Sequence, residues 1–298
     1  MANPALRWWV KKAARHGMLL SSCLSGSMAI SALIARRPQV RVLTYHRFGN
    51  IPRDPFCVTE ADFERQVAHL AEVGVAVSLD DLLAFLDGRK ELCSNAVLVT
   101  IDDGYRSTMS IAHKVLRKYD VPAIAFVTPS LIDAGEAAHG APIADGPEPY
   151  LSWDEVRQIA DEGMTIGSHS WTHRSMGSFS LDEAAEEARR SREALERELR
   201  RPVLSYAYPF GTRADYSEEI AKRVANAGYK VAFTSQHGPV RRTRNPSGLA
   251  SGLDALMLPR IKIEAGEGQL AFRLATRGGL DAWRLVDHTL WRLQTAHR

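Results

Sequence analysis

The run Ala96-Val97-Leu98-Val99-Thr100-Ile101-Asp102-Asp103-Gly104 reads as a buried strand that ends in two acids and a glycine. Runs of the same kind recur from residue 40 onward: Val40–Tyr45, Val75–Val77, Ala123–Thr128, Met164–Ser168, Val203–Tyr208, Val231–Thr234 and Leu258–Ile263. Amphipathic stretches lie between most of them. Thr59 with Asp62, Ser152 with Glu155 and Ser180 with Glu183 have capping-box spacing, and Gly74, Gly163 and Gly228 stand where helices should stop. Alternation of this kind predicts an α/β fold with a parallel sheet and helical crossovers. Seven or eight strand–helix units in about 220 residues suit a (β/α) barrel better than an open sheet, although spacing alone leaves a doubly wound fold open.

The polar residues capable of chemistry follow these strands, on the rim where such a barrel places its active site. His46 follows Val40–Tyr45, Asp102 and Asp103 follow Ala96–Ile101, His169 follows Met164–Ser168, and Tyr208-Pro209-Phe210-Gly211 ends a fourth strand. Adjacent acids leaving a strand point apart, so one can bind a metal while the other serves as a base; an ordinary Asp-Gly turn is the alternative. His169-Ser170-Trp171-Thr172-His173 puts two imidazoles four residues apart, one helical turn, so that both can face one ion. Two solvent-exposed histidines would give the same spacing. Two nitrogens and a carboxylate with open positions make a hydrolytic rather than a closed structural site.

Composition agrees with an ordinary globular chain: 298 residues, 45% apolar, 24% charged, net charge +3. Much of the basic charge lies at the ends and in Arg241-Arg242-Thr243-Arg244, which argues against a nucleic-acid partner. Cys23, Cys57 and Cys93 are too scattered for a disulfide framework or a Cys-rich zinc site and read as free thiols. At the N-terminus, Arg7, Lys11, Lys12 and Arg15 precede a moderately apolar stretch, Gly17–Ala35, diluted by five serines. Three readings compete: a signal sequence, a weak membrane span, or a basic amphipathic segment with Trp8 and Trp9 on a membrane surface. Residues 135–150 and 236–254 read as long loops. After Ile263 two helical segments follow, the second with Trp283, Val286, Leu290 and Leu293 on one stripe, expected to pack on the barrel's outside. The domain reading is 1–37 as a membrane-associating or targeting segment, 38–264 as the catalytic domain and 265–298 as a helical extension.

Thr100-Ile101-Asp102-Asp103-Gly104 and His169-Ser170-Trp171-Thr172-His173 resemble, in order and separation, the first two motifs of polysaccharide deacetylases with a NodB-homology domain (carbohydrate esterase family 4). The resemblance runs from about Arg41 to about Ile263. It implies a distorted (β/α) barrel, a divalent metal such as Zn2+ (Co2+ or Ni2+ as alternatives), and hydrolysis of N-acetyl or O-acetyl groups on an acetylated glycan. Residue by residue it implies Asp102 as general base and Asp103, His169 and His173 as metal ligands. Tyr208, Pro209, Phe210 and Gly211 resemble the third motif, whose backbone N–H groups would face the oxyanion.

Two departures stand out. Where the family's third motif carries an arginine that orients the base, Tyr206-Ala207-Tyr208 has Ala207; Arg260, on a late strand, is the replacement expected, with an exterior salt bridge as its alternative. The late Leu-x-His motif that supplies the acid is missing. Tyr45-His46 is similar to the early Tyr-His of the exopolysaccharide-deacetylase branch and implies His46 as the acid, against the alternative of a packed rim residue. The expected place is a bacterial-type cell envelope, membrane-associated or on the cytoplasmic face rather than secreted, with peripheral membrane contact through the N-terminal segment. Rival readings keep the metal and change the substrate to an O-acetyl ester, a small amide or an imide, or make the chain a non-catalytic glycan-binding barrel.

Overall fold

The computed structural model describes residues 4–24, 38–51, 54–137, 148–242 and 253–295. Its strands are β1 Gln39–Tyr45, β2 Arg47–Phe48, β3 Cys57–Val58, β4 Ala96–Ile101, β5 Ala123–Val127, β6 Thr165–Ser168, β7 Ser205–Ala207, β8 Val231–Phe233, β9 Val240–Arg241 and β10 Ile261–Lys262. Between and around them run α1 Pro4–Leu24, α2 Glu60–Val73, α3 Leu79–Leu86, α4 Lys114–Lys118, α5 Pro129–Ala137, α6 Trp153–Asp161, α7 Leu181–Leu199, α8 Glu218–Asn226, α9 Gly268–Thr276 and α10 Trp283–Thr295. A π-helical turn, Thr108–His113, leads into α4.

The main sheet has the order β10-β1-β4-β5-β6-β7-β8, all parallel, with β9 added antiparallel to β1. It curls into a distorted (β/α) barrel. The segment around Arg260 touches both ends of the sheet: Leu258 pairs with Phe233 of β8, and Ile261 and Lys262 pair with Leu43 and Thr44 of β1. Pro259 lies between these contacts and has no N–H for a ladder, which is why the strand expected over Leu258–Ile263 survives only as Ile261–Lys262. Val75–Val77 is likewise no strand. Only Ala76 bridges to Val97, because Ser78 already caps α3 and turns the chain. The expected loop 236–254 contains β9 within its described part.

Side-chain alternation divides the core into two. Val40 and Val42, Leu98, Ile124 and Phe126, Val231 and Phe233, and Leu258 face inward, and Leu79, Leu82, Phe85 and Leu86 of α3 close the end where β1 and β4 begin. Leu43, Tyr45, Val97, Val99, Ile101, Ala125 and Val127 face outward and pack under the helices with Phe63, Val67 and Leu70 of α2. Each such side chain removed from water is worth about 1.5–3 kcal/mol, which makes the inner and outer faces hard to exchange. Capping fixes the helices against this frame. Ser152 and Ser180 form full capping boxes with Glu155 and Glu183, Thr59 accepts from the Asp62 N–H, and Gly74 ends α2 at φ 63°.

Helix α1 lies against the barrel. Leu19 is buried in the outer core, Lys12 Nζ donates to the Ala265 carbonyl at 3.0 Å, and Arg15 is fully buried. Its guanidinium donates to Glu267 Oε1 and the Lys262 carbonyl, each at 2.8 Å, and sits 3.0 Å from His237 Nε2. Trp283 of α10 is buried beneath it. No helix among the described residues is long and apolar enough to cross a membrane. Residues 25–37 and the side chains of Trp8, Trp9, Leu290 and Leu293 lie outside the described part.

Candidate active site

The site grows out of the inner face of β4. Ala96, Leu98 and Thr100 point into the barrel, and alternation carries Asp102 onto the same face just beyond the strand. Asp103 then takes φ 74°, a left-handed conformation that aspartate tolerates better than most residues, and Gly104 follows at φ 72°. The reversal sends the two neighbouring carboxylates to different partners.

Asp102 is buried and its N–H donates to the Tyr45 carbonyl at 2.9 Å. Arg260 Nη1 and Nη2 donate to its two oxygens at 2.7 and 2.8 Å, a bidentate pair inside the barrel. The guanidinium is held in turn by the Thr234 carbonyl at 2.9 Å and Thr100 Oγ1 at 3.3 Å, above the Phe126 ring. It is no exterior salt bridge. Arg260 shares the inward parity of Leu258, and the inner face of β7 carries a small residue, Ala207. Burial pushes the Asp102 carboxyl up, but Arg260, His169 and His46 outweigh it and hold the group below the usual carboxylate range.

Asp103 meets the two imidazoles. His173 Nε2 lies 3.1 Å and His169 Nε2 3.3 Å from Asp103 Oδ1, and the three ligand-type atoms lie within 4.8 Å of one another. His169 Nδ1 is 2.8 Å from the Ala207 carbonyl and donates to it, so Nε2 faces Asp103: protonated it donates to the carboxylate, and deprotonated it presents a lone pair for an ion. The donor set fits a divalent ion. Burial raises the Asp103 carboxyl, yet hydrogen bonds from His169 and His173 bring it well below its ordinary value. For His169 burial opposes the charge, while Asp102 and Asp103 overcome it and raise the pKa. The helical turn expected for His169–His173 is absent: Ser170 and His173 have φ 65° and 61°, conformations no α-helix contains. The imidazoles converge because the loop folds back on itself, their rings 4.9 Å apart.

His46 sits on the same rim, partly buried, with its ring 4.8 Å from Phe56 and its buried Nδ1 without a hydrogen-bond partner among the described residues. Burial lowers its pKa; Asp103 and Asp102 raise it, and Lys262 and Arg260 add to the lowering. The fourth segment is brought in only in part. Tyr208 faces outward, is fully buried, and donates its hydroxyl to the Leu256 carbonyl and its N–H to the Phe233 carbonyl. The Gly211 N–H donates to the Pro209 carbonyl, and Pro209 has no N–H. Neither Tyr208 nor Gly211 therefore offers the oxyanion donor expected of it. Phe210, half exposed at φ 61°, places its ring 5.3 Å from His173 and forms a wall. Gly211 is required at this turn: at φ 60°, a Cβ would lie 2.6 Å from the Ser235 nitrogen.

Sequence reading missed Glu187. This buried acid of α7 accepts from the Trp171 and Thr172 N–H groups and the Thr172 hydroxyl. Its signal was its place on the helix face otherwise carried by Ala184, Ala188, Ser191 and Ala194.

Residues 89–232 match the sequence model of the family described as polysaccharide deacetylase. Over that stretch the chain is similar to the polysaccharide deacetylase family. This deacetylase is 24% identical over 234 residues to YxkH of Bacillus subtilis, a protein named as a polysaccharide deacetylase, covering 78% of this chain and 74% of that one. It is 25% identical over 172 residues to the poly-beta-1,6-N-acetyl-D-glucosamine N-deacetylase of Escherichia coli K12, covering 52% of this chain and 25% of the relative. Its fold superposes on the deacetylase PplD of Streptococcus pyogenes with a TM-score of 0.67 at 21% identity, over 81% of this chain and 99% of that one. The match and these relatives together indicate a deacetylase, a hydrolase.

Proposed function

We propose that this deacetylase removes N-acetyl groups from an exopolysaccharide or other envelope glycan, with a divalent ion held by Asp103, His169 and His173, Asp102 as general base and His46 as general acid. The observation that carries the reading is the Asp102–Arg260 pair set beside the Asp103–His169–His173 cluster: a fixed carboxylate next to, and separate from, an ion-binding set. Two imidazoles and one carboxylate suit Zn2+, with Co2+ or Ni2+ as substitutes. When bound, such an ion supplies Lewis acidity to the acetyl carbonyl and acidifies water.

Asp102 accepts the proton of the attacking water as its oxygen bonds to the acetyl carbon. Arg260 occupies one lone pair on each carboxylate oxygen and leaves the others to receive that proton. The lowered pKa keeps Asp102 ionised throughout the neutral range, at the cost of making it a weaker base. As the carbon–nitrogen bond breaks, His46 delivers a proton to the departing amine, and acetate and a free amino sugar leave. Phe210 beside His173 and Phe56 beside His46 set apolar surface next to the reacting groups and limit water around the amide.

Acetate release from N-acetylglucosamine oligomers, measured alongside the metal content of the purified protein, tests this reading. Zn2+-dependent release abolished by a chelator and restored by Zn2+ is the expected result. Release of acetate only from O-acetylated glycans would move the substrate to esters, and metal-free protein with full activity would end the proposal.

A further inference from the structure

The loop that carries the two imidazoles is held from outside. Its left-handed residues Ser170 and His173 are strained for L-amino acids, by roughly 1–2 kcal/mol each, so the loop needs contacts that favour this one shape. Within the loop, the His173 N–H donates to Ser170 Oγ at 2.9 Å. Two of the three amides between the histidines donate elsewhere: Trp171 N and Thr172 N lie 3.1 and 3.0 Å from Glu187 Oε2, and Thr172 Oγ1 lies 3.1 Å from both Glu187 oxygens. At the loop's start, Thr128 Oγ1 holds the His169 carbonyl at 3.1 Å. Glu187 is 8% exposed, and among the described residues no ion pair neutralises it. A buried carboxylate without a cation depends on such donors, so carboxylate and loop fix each other.

We infer that Glu187 is a positioning residue: it sets the 170–173 loop so that His169 Nε2 and His173 Nε2 meet at one point, and divalent-ion affinity depends on its reach. The inference rests on the metal-dependent reading above and assigns a role to a residue outside the ligand set. Groups that orient ligands in this way typically change metal affinity by about 10–100-fold when removed.

The test is Zn2+ affinity of the full chain, measured by competition with a chromogenic chelator, together with the melting temperature of ion-free protein. Glu187→Asp keeps the charge but withdraws the carboxylate by about 1.5 Å, and Glu187→Gln keeps the reach but not the charge. The expected outcome is an affinity loss on the order of 10–100-fold for Glu187→Asp and a much smaller one for Glu187→Gln, whose amide oxygen can still accept from both backbone N–H groups. A loss in Glu187→Gln with affinity kept in Glu187→Asp would assign the effect to charge and overturn positioning. A lowered ion-free melting temperature with unchanged affinity would make Glu187 a structural residue only. Wild-type protein that takes up no Zn2+ would overturn the metal reading and this inference with it, whereas tight wild-type binding indifferent to residue 187 would overturn this inference alone.

Discussion

Both carboxylate oxygens of Asp102 accept from a single guanidinium, that of Arg260, at 2.7 and 2.8 Å, with both side chains almost wholly withdrawn from water. Removing one member of such a pair leaves the other charge buried and uncompensated, typically at about 3–5 kcal/mol. Asp102→Asn is therefore expected to destabilise the ion-free protein by an amount of that order as well as to abolish turnover. Urea denaturation measures it. A loss under about 1 kcal/mol would mean that water reaches Arg260 and that the pair is less isolated than its burial implies.

The same pair sets a dependence on pH. Arg260 holds the folded-state pKa of Asp102 below its ordinary value of 3.8, so folding favours the ionised form. That contribution is complete above about pH 4 and is lost as pH falls through the depressed pKa. The stability gap between wild type and Asp102→Asn, both ion-free, should narrow as pH is lowered from 5 toward 2. His169 runs the other way. Its pKa is raised above 6.5, mainly by Asp102 and Asp103 against burial, so its contribution is full below that value and fades as pH rises through the raised one. Denaturation curves between pH 5 and 9 should show His169→Gln losing this decline, and an unchanged decline would assign it to another group.

If Asp103, His169 and His173 are the ion's ligands, replacing any of them with Ala should remove bound ion and activity while the far-ultraviolet circular dichroism stays that of the wild type. The three lie on the rim beyond the strands and contribute little to either core cluster. Stoichiometric ion in a His169→Ala/His173→Ala double variant, read by elemental analysis, would remove both from the ligand set.

Packing beneath the pair is tight enough to transmit strain. A Cβ on Gly167 would stand 2.4 Å from Phe126 Cε1 and 2.7 Å from Ser205 Oγ, and Phe126 lies under the Arg260 guanidinium. Gly167→Ala is expected to cost about 1–3 kcal/mol, the range for overpacking, and to lower turnover by displacing Arg260. A thermal melt and an acetate-release rate test the two halves separately. Lower stability with unchanged turnover would show that Arg260 is insulated from its support.

Most of the barrel was legible because parallel strands buried on both faces are continuous apolar runs, and Ala96–Ile101 is such a run. Leu258–Ile263 also reads as a strand, but Pro259 interrupts its ladder, and the apolar Val75–Val77 was cut short by the cap at Ser78. Arg260 is picked out in the sequence by its late strand and its bidentate grip, with an exterior salt bridge left open; its parity with Leu258, an inward residue, explains why it points into the barrel. The same counting, applied to β7, puts Ala207 inward and Tyr206 and Tyr208 outward, which excludes the Tyr208 side chain from the site. The shape of the histidine loop was not legible, since a spacing of four fits a helix as well as a loop with two left-handed residues. Nor was Glu187, whose partners are backbone amides that no side-chain pattern records.

His46 and Arg260 can be told apart by the leaving group. An amine departs poorly without a proton, whereas the phenolate of an activated aryl ester needs none, so general acid help matters for the first and little for the second. His46→Ala is expected to lower kcat/KM on N-acetylglucosamine oligomers by about 10²–10⁴-fold while sparing an aryl acetate. Arg260→Ala should impair both substrates together, because Asp102 without its guanidinium no longer holds the direction in which it takes the water proton, whatever group departs. Arg260→Lys should fall between, since an ammonium keeps the charge but cannot grip both oxygens in one plane. Burial lowers the pKa of His46 despite Asp103 and Asp102, so amide turnover should also decline as pH rises through a value below 6.5, and the aryl ester should not follow it. Equal losses on amide and ester in His46→Ala would reduce His46 to packing against Phe56 on the rim, and full activity in Arg260→Ala would leave the orientation of Asp102 to its remaining neighbours, His169 and His46.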